Sequence, residues 1–413
     1  MADVYSADTL IASYEEIRKP IRYKNSVQEY GMNLLTNVSR TIAAHENGTT
    51  KYHKGAEFTI CERGKVRHIT PVPFPERVPI HAFCTEILIP EIRPYLIYDN
   101  CASLRGRGID MQRDRMAVHL HKYYMNHGTN KGYVLFGDFS KYFDNIDHEI
   151  LIRELRKIFD DEEIIDEVKR ILDVYRIDGS VMTDEEYGAC STGVYDSRIF
   201  YGRKEKISPE RWINKSEGIG SELSQITGVY LPTRIDTYVK NVKGIKYYGR
   251  YNDDFYVIHP DKEYLQELLQ DIQKIADDLG LYLNLKKTRI VALDKPFKFL
   301  KIRYTLTDTG KIIRSYSSET FTRERRKLKK FRRMLDEGIL DYATIEQQYK
   351  GWRGHITRKK NKNSKNGKPI YSNWKSLQST DQLYDELFIK PFMEGEQNGR
   401  EEYHHERDRE PQA

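Results

Sequence analysis

The sequence predicts an α+β fold in which helices pack against a mostly antiparallel sheet. Stretches with helical hydrophobic periodicity alternate with short segments rich in β-branched and aromatic residues along the 413 residues. The predicted helices lie near 26–45, 110–127, 146–176, 222–241 and 261–279, and the predicted strands lie near 58–70, 132–138, 245–258 and 289–305. At about 150 residues per folding unit, this length suggests two or three units.

The basic residues are concentrated in one part of the chain. Lys and Arg total 68 against 62 Asp and Glu, but residues 286–362 alone contain 23 basic and 8 acidic residues. Between residues 323 and 333, eight residues are basic, while Phe321, Leu328 and Phe331 recur at helical intervals. The cations therefore fall on the opposite face of the predicted helix. That face suits a phosphate backbone, although a solvated surface is the alternative.

Two features exclude other classes of protein. The four cysteines, at positions 61, 84, 101 and 190, show no Cys-x-x-Cys spacing, so neither a zinc ribbon nor a disulfide framework is expected. No apolar run approaches the ~18 residues that a membrane-spanning helix needs, and residues 1–4 do not resemble a signal peptide. We therefore expect a cytoplasmic protein without a membrane partner.

A pair of adjacent acids interrupts a β-prone region at Tyr251-Asn252-Asp253-Asp254. An ordinary strand tolerates neither carboxylate, and adjacent like charges raise each other's pKa. A bound divalent metal removes that cost, because Mg²⁺ prefers carboxylate oxygens and phosphates. The alternative interpretation is a solvated turn.

A second acid follows a predicted buried strand. Residues 132–137 are mostly apolar and deliver Asp138 at the strand end. If this strand lies beside the 246–258 hairpin, we expect Asp138 and Asp253 to face each other and to form a three-carboxylate metal cluster with Asp254. The alternative is that Asp138 caps the helix that begins near residue 146.

Five successive segments resemble the motifs of bacterial and phage reverse transcriptases, in the order found in that family. The resemblance covers about residues 58–304 and is specific in order and spacing. The matching segments are Phe136–Asp144, Gly218–Gln225, Tyr251–Asp254, Leu279–Thr288 and Phe297–Tyr304. The resemblance implies a stand-alone RNA-directed DNA polymerase, which adds dNTPs to a hydroxyl primer on an RNA template and yields a DNA product.

The resemblance also implies a right-hand architecture with fingers, palm and helical thumb. The corresponding boundaries are an N-terminal extension at 1–57, fingers at 58–131, a palm at 132–305 with an insertion at 178–215, a thumb at 306–393 and a disordered tail at 394–413. Asp138, Asp253 and Asp254 would be the catalytic ligands of two Mg²⁺ ions, with Mn²⁺ as an alternative. A two-metal site of this kind activates the attacking hydroxyl and stabilises the leaving pyrophosphate.

Four residues match the family's nucleotide-binding positions. Phe143 corresponds to the aromatic residue whose ring excludes a ribose 2′-hydroxyl, and a plain core position is its alternative. Gly220 and Gln225 correspond to the motif that lines the base pair and template, where glycine lets the backbone approach the nucleotide. Lys287 corresponds to a lysine that reaches the pyrophosphate.

The remaining predicted contacts involve basic residues. Lys65 and Arg67 alternate on a predicted hairpin that would cover the triphosphate, and Arg105 and Arg107 lie in a glycine-containing segment that would touch the template. Lys301 stands where the fifth motif usually has glycine, so the freedom at positive φ that glycine gives is expected to be lost and the primer-gripping turn to differ, with the lysine near a phosphate. The predicted thumb helix contributes Arg325, Arg326, Lys329 and Lys330.

Two other functions stay open at this point. An RNA-synthesising polymerase would use Asp138 and Asp144 as paired acids, although Phe143 would then block the ribose. A template-independent nucleotidyl polymerase is a further alternative. A catalytically silent RNA-binding scaffold would not need all three carboxylates. Among polymerases, the compact chain with its idiosyncratic extension and insertion favours, by analogy, antiphage defence over other retroelement roles, including diversity generation.

Overall fold

The computed structural model describes residues 2–62, 65–357, 371 and 373–390. These residues form two compact units. Unit 1 comprises residues up to 119 and residues 132–291, and unit 2 comprises residues 120–131 and the described residues from 292 onward. The predicted disordered tail at 394–413 lies outside the described residues. The combination of helices with small antiparallel sheets agrees with the predicted α+β class.

Unit 1 contains most of the sequence motifs. Its helices are α1 (Ala7–Arg18), α2 (Asn25–Met32), α3 (Leu34–Glu46), α4 (Phe74–Phe83), α5 (Ile89–Ile92), α6 (Ile109–His127, which continues into unit 2), α7 (His148–Leu155), α8 (Glu162–Asp173), α9 (Asp184–Thr192), α10 (Ser197–Phe200), α11 (Glu222–Tyr230), α12 (Thr233–Thr237) and α13 (Lys262–Asp278). Its strands are β1 (Phe58–Glu62), β2 (Lys65–Ile69), β3 (Tyr133–Asp138), β4 (Ile177–Asp178), β5 (Trp212–Ile213), β6 (Tyr248–Tyr251), β7 (Asp254–His259) and β8 (Arg289–Ala292).

The central sheet of unit 1 has four strands in the order β6-β7-β3-β8. Strands β3 and β7 are antiparallel and almost wholly buried, which explains their continuous apolar sequences. Gly137 lies opposite Phe255, and a Cβ at this glycine would come within 2.1 Å of the Phe255 ring. Glycine is therefore required one residue before Asp138.

Three predicted helices are each divided in two. The helix predicted at 26–45 breaks at Asn33, the one predicted at 146–176 ends at Leu155, and the one predicted at 222–241 is interrupted at Pro232. After the second break, the carboxylate of Asp161 accepts from the Glu163 amide and starts α8. Proline lacks an amide hydrogen and so cannot continue the helix hydrogen-bond ladder at the third break. Hydrophobic periodicity continues across these breaks, so the sequence predicted one long helix in each place where the structure has shorter ones.

The N-terminal extension packs into unit 1 through a buried carboxylate. Tyr5 donates its hydroxyl to Glu167 Oε1 at 2.9 Å, and Tyr52 donates to the same oxygen. The other oxygen of Glu167 pairs with Arg170 at 2.7 Å, and the carboxylate is inaccessible to solvent. Tyr5 also stacks on His45 with ring centroids 3.6 Å apart. The extension is thus an integral layer of the unit, which its sequence did not indicate.

The insertion has a small core of its own. Strands β4 and β5 close it as an antiparallel pair, and helices α9 and α10 lie between them. Its buried apolar residues are Ile177, Met182, Cys190, Tyr195, Phe200 and Ile213. The sequence of the insertion is mostly polar and contains several glycines, but these few apolar residues give it a core.

The described part of unit 2 contains a three-stranded sheet and three helices in addition to the end of α6. The strands are β9 (Phe297–Phe299), β10 (Ile302–Leu306) and β11 (Ile312–Tyr316), in the order β11-β10-β9, and the helices are α14 (Ser318–Asp336), α15 (Tyr342–Ile356) and α16 (Trp374–Tyr384). The apolar stripe of α14 packs into a cluster with α15 and α16, in which the rings of Tyr349 and Tyr384 stack at 4.1 Å. The predicted amphipathic basic helix is therefore confirmed as α14. None of the described helices has both the length and the apolar character needed to cross a membrane.

The turn between β9 and β10 keeps the backbone conformation that glycine usually provides. Leu300 and Lys301 have φ values of 44° and 69°, and Phe299 pairs directly with Ile302 across them. Positive φ at both central positions is what a type I′ hairpin turn requires. The expectation that lysine at 301 removes positive φ was therefore wrong: the turn forms with positive φ at both residues, and its backbone carries the strain.

We predict that Lys301→Gly stabilises the protein by about 0.5–1 kcal/mol. The left-handed conformation costs an L-residue about 1–2 kcal/mol, and glycine returns roughly half of this gain through the greater entropy of its unfolded chain. Urea unfolding measures the difference. Lys298→Gly, in the extended strand β9, is the control and is expected to destabilise; equal losses in both variants would contradict strain at Lys301.

Candidate nucleotide site

The three predicted metal ligands lie at one end of the central sheet. Asp138 ends β3 and is the register partner of Asp254, the first residue of β7. Asp253 occupies the two-residue turn between β6 and β7, after Asn252, whose φ is 53°. The expectation that Asp138 faces Asp253 across the strands was wrong, because the short turn places Asp254, and not Asp253, in the ladder. The alternative that Asp138 caps a helix is also wrong, because Asp147 caps α7.

The carboxylate of Asp138 is held by two side chains from the fourth motif. Lys287 Nζ lies 2.7 and 2.6 Å from the two carboxylate oxygens, and the Asn284 amide donates to one of them at 3.2 Å. The Asn284 backbone amide also donates to the Asp138 carbonyl at 2.8 Å. The Asp138 side chain is only 10% exposed, whereas Lys287 is 52% exposed. Lys287, predicted to reach pyrophosphate, is here the counter-charge of Asp138.

The donor chemistry of this site fits a hard divalent cation, but the described side chains do not form a ready-made cage. No group of three or more His, Cys, Asp or Glu among the described residues is arranged to hold a metal ion. Asp138, Asp253 and Asp254 offer only carboxylate oxygens, which Mg²⁺ and Mn²⁺ prefer. Both carboxylate oxygens of Asp138 already accept hydrogen bonds in this structure.

A fully buried ion pair holds the turn that carries Asp253. The Arg250 guanidinium donates to both oxygens of Asp236, at 2.8 and 2.6 Å, and both side chains are 0% exposed. Its remaining contacts are the carbonyls of Asn252 at 3.1 Å and Val229 at 2.8 Å. Tyr248 completes the set by donating to Asp236 at 2.5 Å. The planar Arg250 guanidinium thus fixes the carbonyl of Asn252, one residue before Asp253.

A cleft of about 690 Å³ brings together residues that the sequence predicted separately. Arg67 from β2, Phe143, Asp253 and Lys287 all line it. The side chain of Lys65 lies outside the described residues, although its backbone pairs with Glu62 at the start of β2. The cleft therefore joins the predicted hairpin, the aromatic position and the acid pair in one space.

Phe143 forms a half-buried wall of this cleft. Its ring contacts that of Tyr142 with centroids 5.2 Å apart, and a Cβ on Gly228 would lie 2.8 Å from the Phe143 ring. The Tyr142 hydroxyl in turn donates to the Gly228 carbonyl at 2.5 Å. The ring therefore packs directly on helix α11, so that it can act as a stiff boundary of the cleft.

The predicted template-lining residues lie in a second cleft, of about 430 Å³. Gly220 has φ of 98°, a conformation that favours glycine, and Gln225 is exposed on the first turns of α11. His81 and Glu222 pair at 2.7 Å in the same cleft. Burial lowers the pKa of His81, but the hydrogen bond to Glu222 outweighs it and the pKa is raised overall.

The two arginines predicted to touch a template differ in their contacts. Arg105 is exposed in the loop that precedes α6. Arg107 donates to the Asn100 carbonyl at 2.8 Å and lies over the Tyr98 ring at 5.5 Å. Arg107 therefore holds the loop in shape.

Within unit 2, three of the four predicted basic residues of α14 line one groove. Arg325, Arg326 and Lys329 border a space of about 510 Å³ beside α16, and Arg325 donates to Ser379 at 3.2 Å. Lys330 is exposed on the same helix. Lys301 is exposed at the tip of the β9–β10 turn.

Comparisons with known proteins assign no family. No protein-family model matches the chain, and no curated protein does so either. Among solved structures, telomerase from Candida albicans in complex with a TWJ fragment of telomeric RNA matches 76% of this chain and 56% of its own, at 13% identity and a TM-score of 0.41. Apo telomerase from Candida tropicalis, truncated from its C-terminal domain, matches 65% of this chain and 58% of its own, at 12% identity and a TM-score of 0.41. This chain thus spans little more than half of each, and likenesses this weak add nothing to the evidence from the site.

Sequence reasoning missed a buried acid beside the cleft. Glu217 is fully buried, accepts from Thr227 at 2.5 Å, and donates its backbone amide to the Phe143 carbonyl at 3.1 Å. Burial raises its pKa to about 8. It also missed the Asp236–Arg250 pair; an arginine inside an otherwise apolar strand was the available signal, since such a charge needs a buried partner.

We predict that Glu217→Gln removes a pH dependence of stability between about pH 4.5 and 8. The folded protein keeps the Glu217 proton in this range, whereas the unfolded chain releases it above about pH 4.5. The free energy of unfolding of the wild type should therefore fall with rising pH, by at most about 1.4 kcal/mol per unit from this group, and level off above pH 8.

Urea unfolding at pH 5.5, 6.5 and 7.5 measures this slope. The Glu217→Gln variant should gain stability relative to wild type as pH rises. Glu162→Gln, at an exposed position, is the control and should follow the wild type. Parallel slopes for all three proteins would contradict a protonated Glu217.

Proposed function

We propose that the protein is an RNA-directed DNA polymerase of the bacterial and phage reverse transcriptase type. The observation that carries this proposal is the 690 Å³ cleft, in which Asp253, the aromatic wall Phe143, and the cations Arg67 and Lys287 meet beside the β3–β7 ladder. A nucleoside triphosphate needs this combination: acids for metal, an apolar wall for the sugar, and cations for the phosphates.

Asp138, Asp253 and Asp254 would hold the Mg²⁺ ions of this polymerase. Bound there, the metal supplies activation of the attacking hydroxyl and neutralisation of the phosphate charge. Lys287 is then released from its role as counter-charge to Asp138, and its exposed ammonium serves the phosphate end of the nucleotide. Arg67 contributes a forked donor from β2 to the same end. Phe143 limits the space at the sugar 2′ position.

The nucleic-acid partners in this proposal are an RNA template and a DNA product. In unit 1, Gly220, Gln225 and the exposed Arg105 are the candidate template contacts. In unit 2, Lys301 and the basic face of α14 are the candidate backbone contacts, because cations in a row position a phosphate chain without reading its bases. A cytoplasmic role in antiphage defence or in a retroelement completes the proposal.

We predict that Asp253→Asn lowers dNTP incorporation by about a thousandfold or more, since a neutral amide replaces a charge at the centre of the site. Primer extension on a homopolymeric RNA template with Mg²⁺ or Mn²⁺ measures the rate. Asp277→Asn, on the exposed face of α13, is the control and should behave as wild type.

The same assay separates the alternative functions. Arms with a DNA template, with no template and with rNTPs distinguish an RNA-synthesising or template-independent polymerase from the proposed one. Absence of incorporation in every wild-type arm, together with RNA binding, would instead favour the silent scaffold.

We predict that Phe143→Ala raises rNTP incorporation relative to dNTP by about 10- to 100-fold, because truncation opens space beside the sugar. Ratios of kcat/KM for matched dNTP and rNTP measure the change, and about 1.4–2.8 kcal/mol of discrimination corresponds to this range. Phe143→Tyr, which keeps the ring, should retain selectivity. An unchanged ratio in the alanine variant would remove the sugar-gating role.

A further inference from the structure

The insertion at 178–215 contributes one wall of the nucleotide cleft. Val194, Ser197 and Arg198 line the same 690 Å³ space as Phe143 and Asp253. No role was predicted for this segment, and its residues match none of the motifs. Arg198 of this segment is a cation beside the site, and its side chain is 54% exposed.

One carboxylate organises two cations on this wall. The Asp196 carboxylate lies 2.8 Å from Lys141 Nζ. It accepts hydrogen bonds from Nε and Nη2 of Arg198, at 2.9 and 2.6 Å. The Asp196 side chain is 16% exposed and does not itself line the cleft, whereas Lys141 and Arg198 do. Asp196 thus lies behind the two cations and fixes their place at the cleft wall.

Contacts on both sides of Arg198 hold the segment in place. The Ser197 hydroxyl donates at 2.9 Å to the carboxylate of Asp144, the residue that follows Phe143. Four residues further on, the ring of Tyr201 packs on His68 of β2 with centroids 4.5 Å apart. The insertion is therefore fastened to the loop after β3 and to the β1–β2 hairpin, so its cations have a defined position relative to both.

We propose that Arg198 and Lys141 bind the phosphates of the incoming nucleoside triphosphate and that Asp196 is their positioning residue. The inference rests on the proposed function and names additional ligands for its substrate. Counting only the residues that line the cleft, Arg67 and Lys287 join these two cations against the acids Asp144 and Asp253, and Asp196 and Asp138 are the counter-charges of three of the four cations. Cations on the cleft wall suit a polyanion, and the planar guanidinium of Arg198 has a second edge that Asp196 does not occupy.

Arg203 provides a matched control from the same segment. It pairs with Glu186 at 2.9 Å, lies over the Phe200 ring at 4.8 Å, and is not among the residues that line the cleft. Its removal changes the charge of the insertion equally without touching the proposed site.

The test compares Arg198→Ala, Arg198→Lys and Arg203→Ala in primer extension. Arg198→Ala should raise the KM for dNTP about tenfold with kcat changed less than threefold, as expected for loss of a charged hydrogen bond to the bound substrate. Arg198→Lys should recover part of the loss, and Arg203→Ala should match wild type. Asp196→Asn should raise KM more mildly, because it frees both cations without removing them.

A binding measurement separates this inference from the polymerase assignment. Calorimetric titration of each full-length variant with inorganic tripolyphosphate should show about tenfold weaker binding for Arg198→Ala only. If no variant incorporates dNTP but this loss appears, the phosphate site stands and the polymerase proposal fails. Wild-type affinity for tripolyphosphate in both Arg198 variants, each with an unchanged thermal midpoint, would overturn the inference.

Discussion

The buried pair of Asp236 and Arg250 is the interaction on which the geometry of the site depends. Removing two charges from water costs several kcal/mol per ion, and only full hydrogen bonding compensates for it. Here every strong donor of the guanidinium that faces the interior has an acceptor, and two of these acceptors are backbone carbonyls, of Val229 and Asn252. The pair therefore ties helix α12 and strand β6 to helix α11 and to the acidic turn, and loss of one partner would strand the other charge at a cost of about 3–5 kcal/mol. The position of Asp253 therefore depends on Arg250, which is not among the residues that line the cleft.

A second constraint is the balance of charge at the end of the sheet. Asp138 and Asp254 are direct neighbours in the antiparallel ladder, and like charges in that relation repel. Lys287 offsets this repulsion at Asp138, while Arg67, Lys141 and Arg198 line the wall of the cleft, and the last two are paired with Asp196. In the proposed function, this arrangement of acids and cations would place the phosphates of a nucleotide near the cationic wall.

Local patterns predicted the elements of the site but not the contacts between distant segments. The buried strand before Asp138, the hairpin around Asp253 and the amphipathic helix α14 all follow from periodicity within a few residues, and the structure has them where the sequence placed them. The predicted partner of Asp138 was wrong because a change of one residue in the length of a turn changes which residues pair across the two strands. Asp236, Glu217 and Asp196 were invisible for another reason: each has a partner or a burial that only the folded chain creates, and a single acid in a polar stretch carries no periodic signal. The conformation of Lys301 was also unpredictable, since tertiary packing can stabilise a turn that local preference opposes.

Three buried acids in unit 1 are accommodated in two different ways, and the difference matters beside the cleft. Glu167 is satisfied by two tyrosine hydroxyls and Arg170, and Asp236 by Arg250 and Tyr248, so both keep hydrogen-bonded partners of opposite or polar character. Glu217 has only Thr227 as a side-chain donor, and burial therefore favours its neutral form. Because the Glu217 amide supports the Phe143 carbonyl, ionisation of this one acid would put a charge without a cationic partner directly behind the wall proposed to select the sugar. Glu217 therefore responds to pH near neutrality, and it does so next to the backbone that carries Phe143.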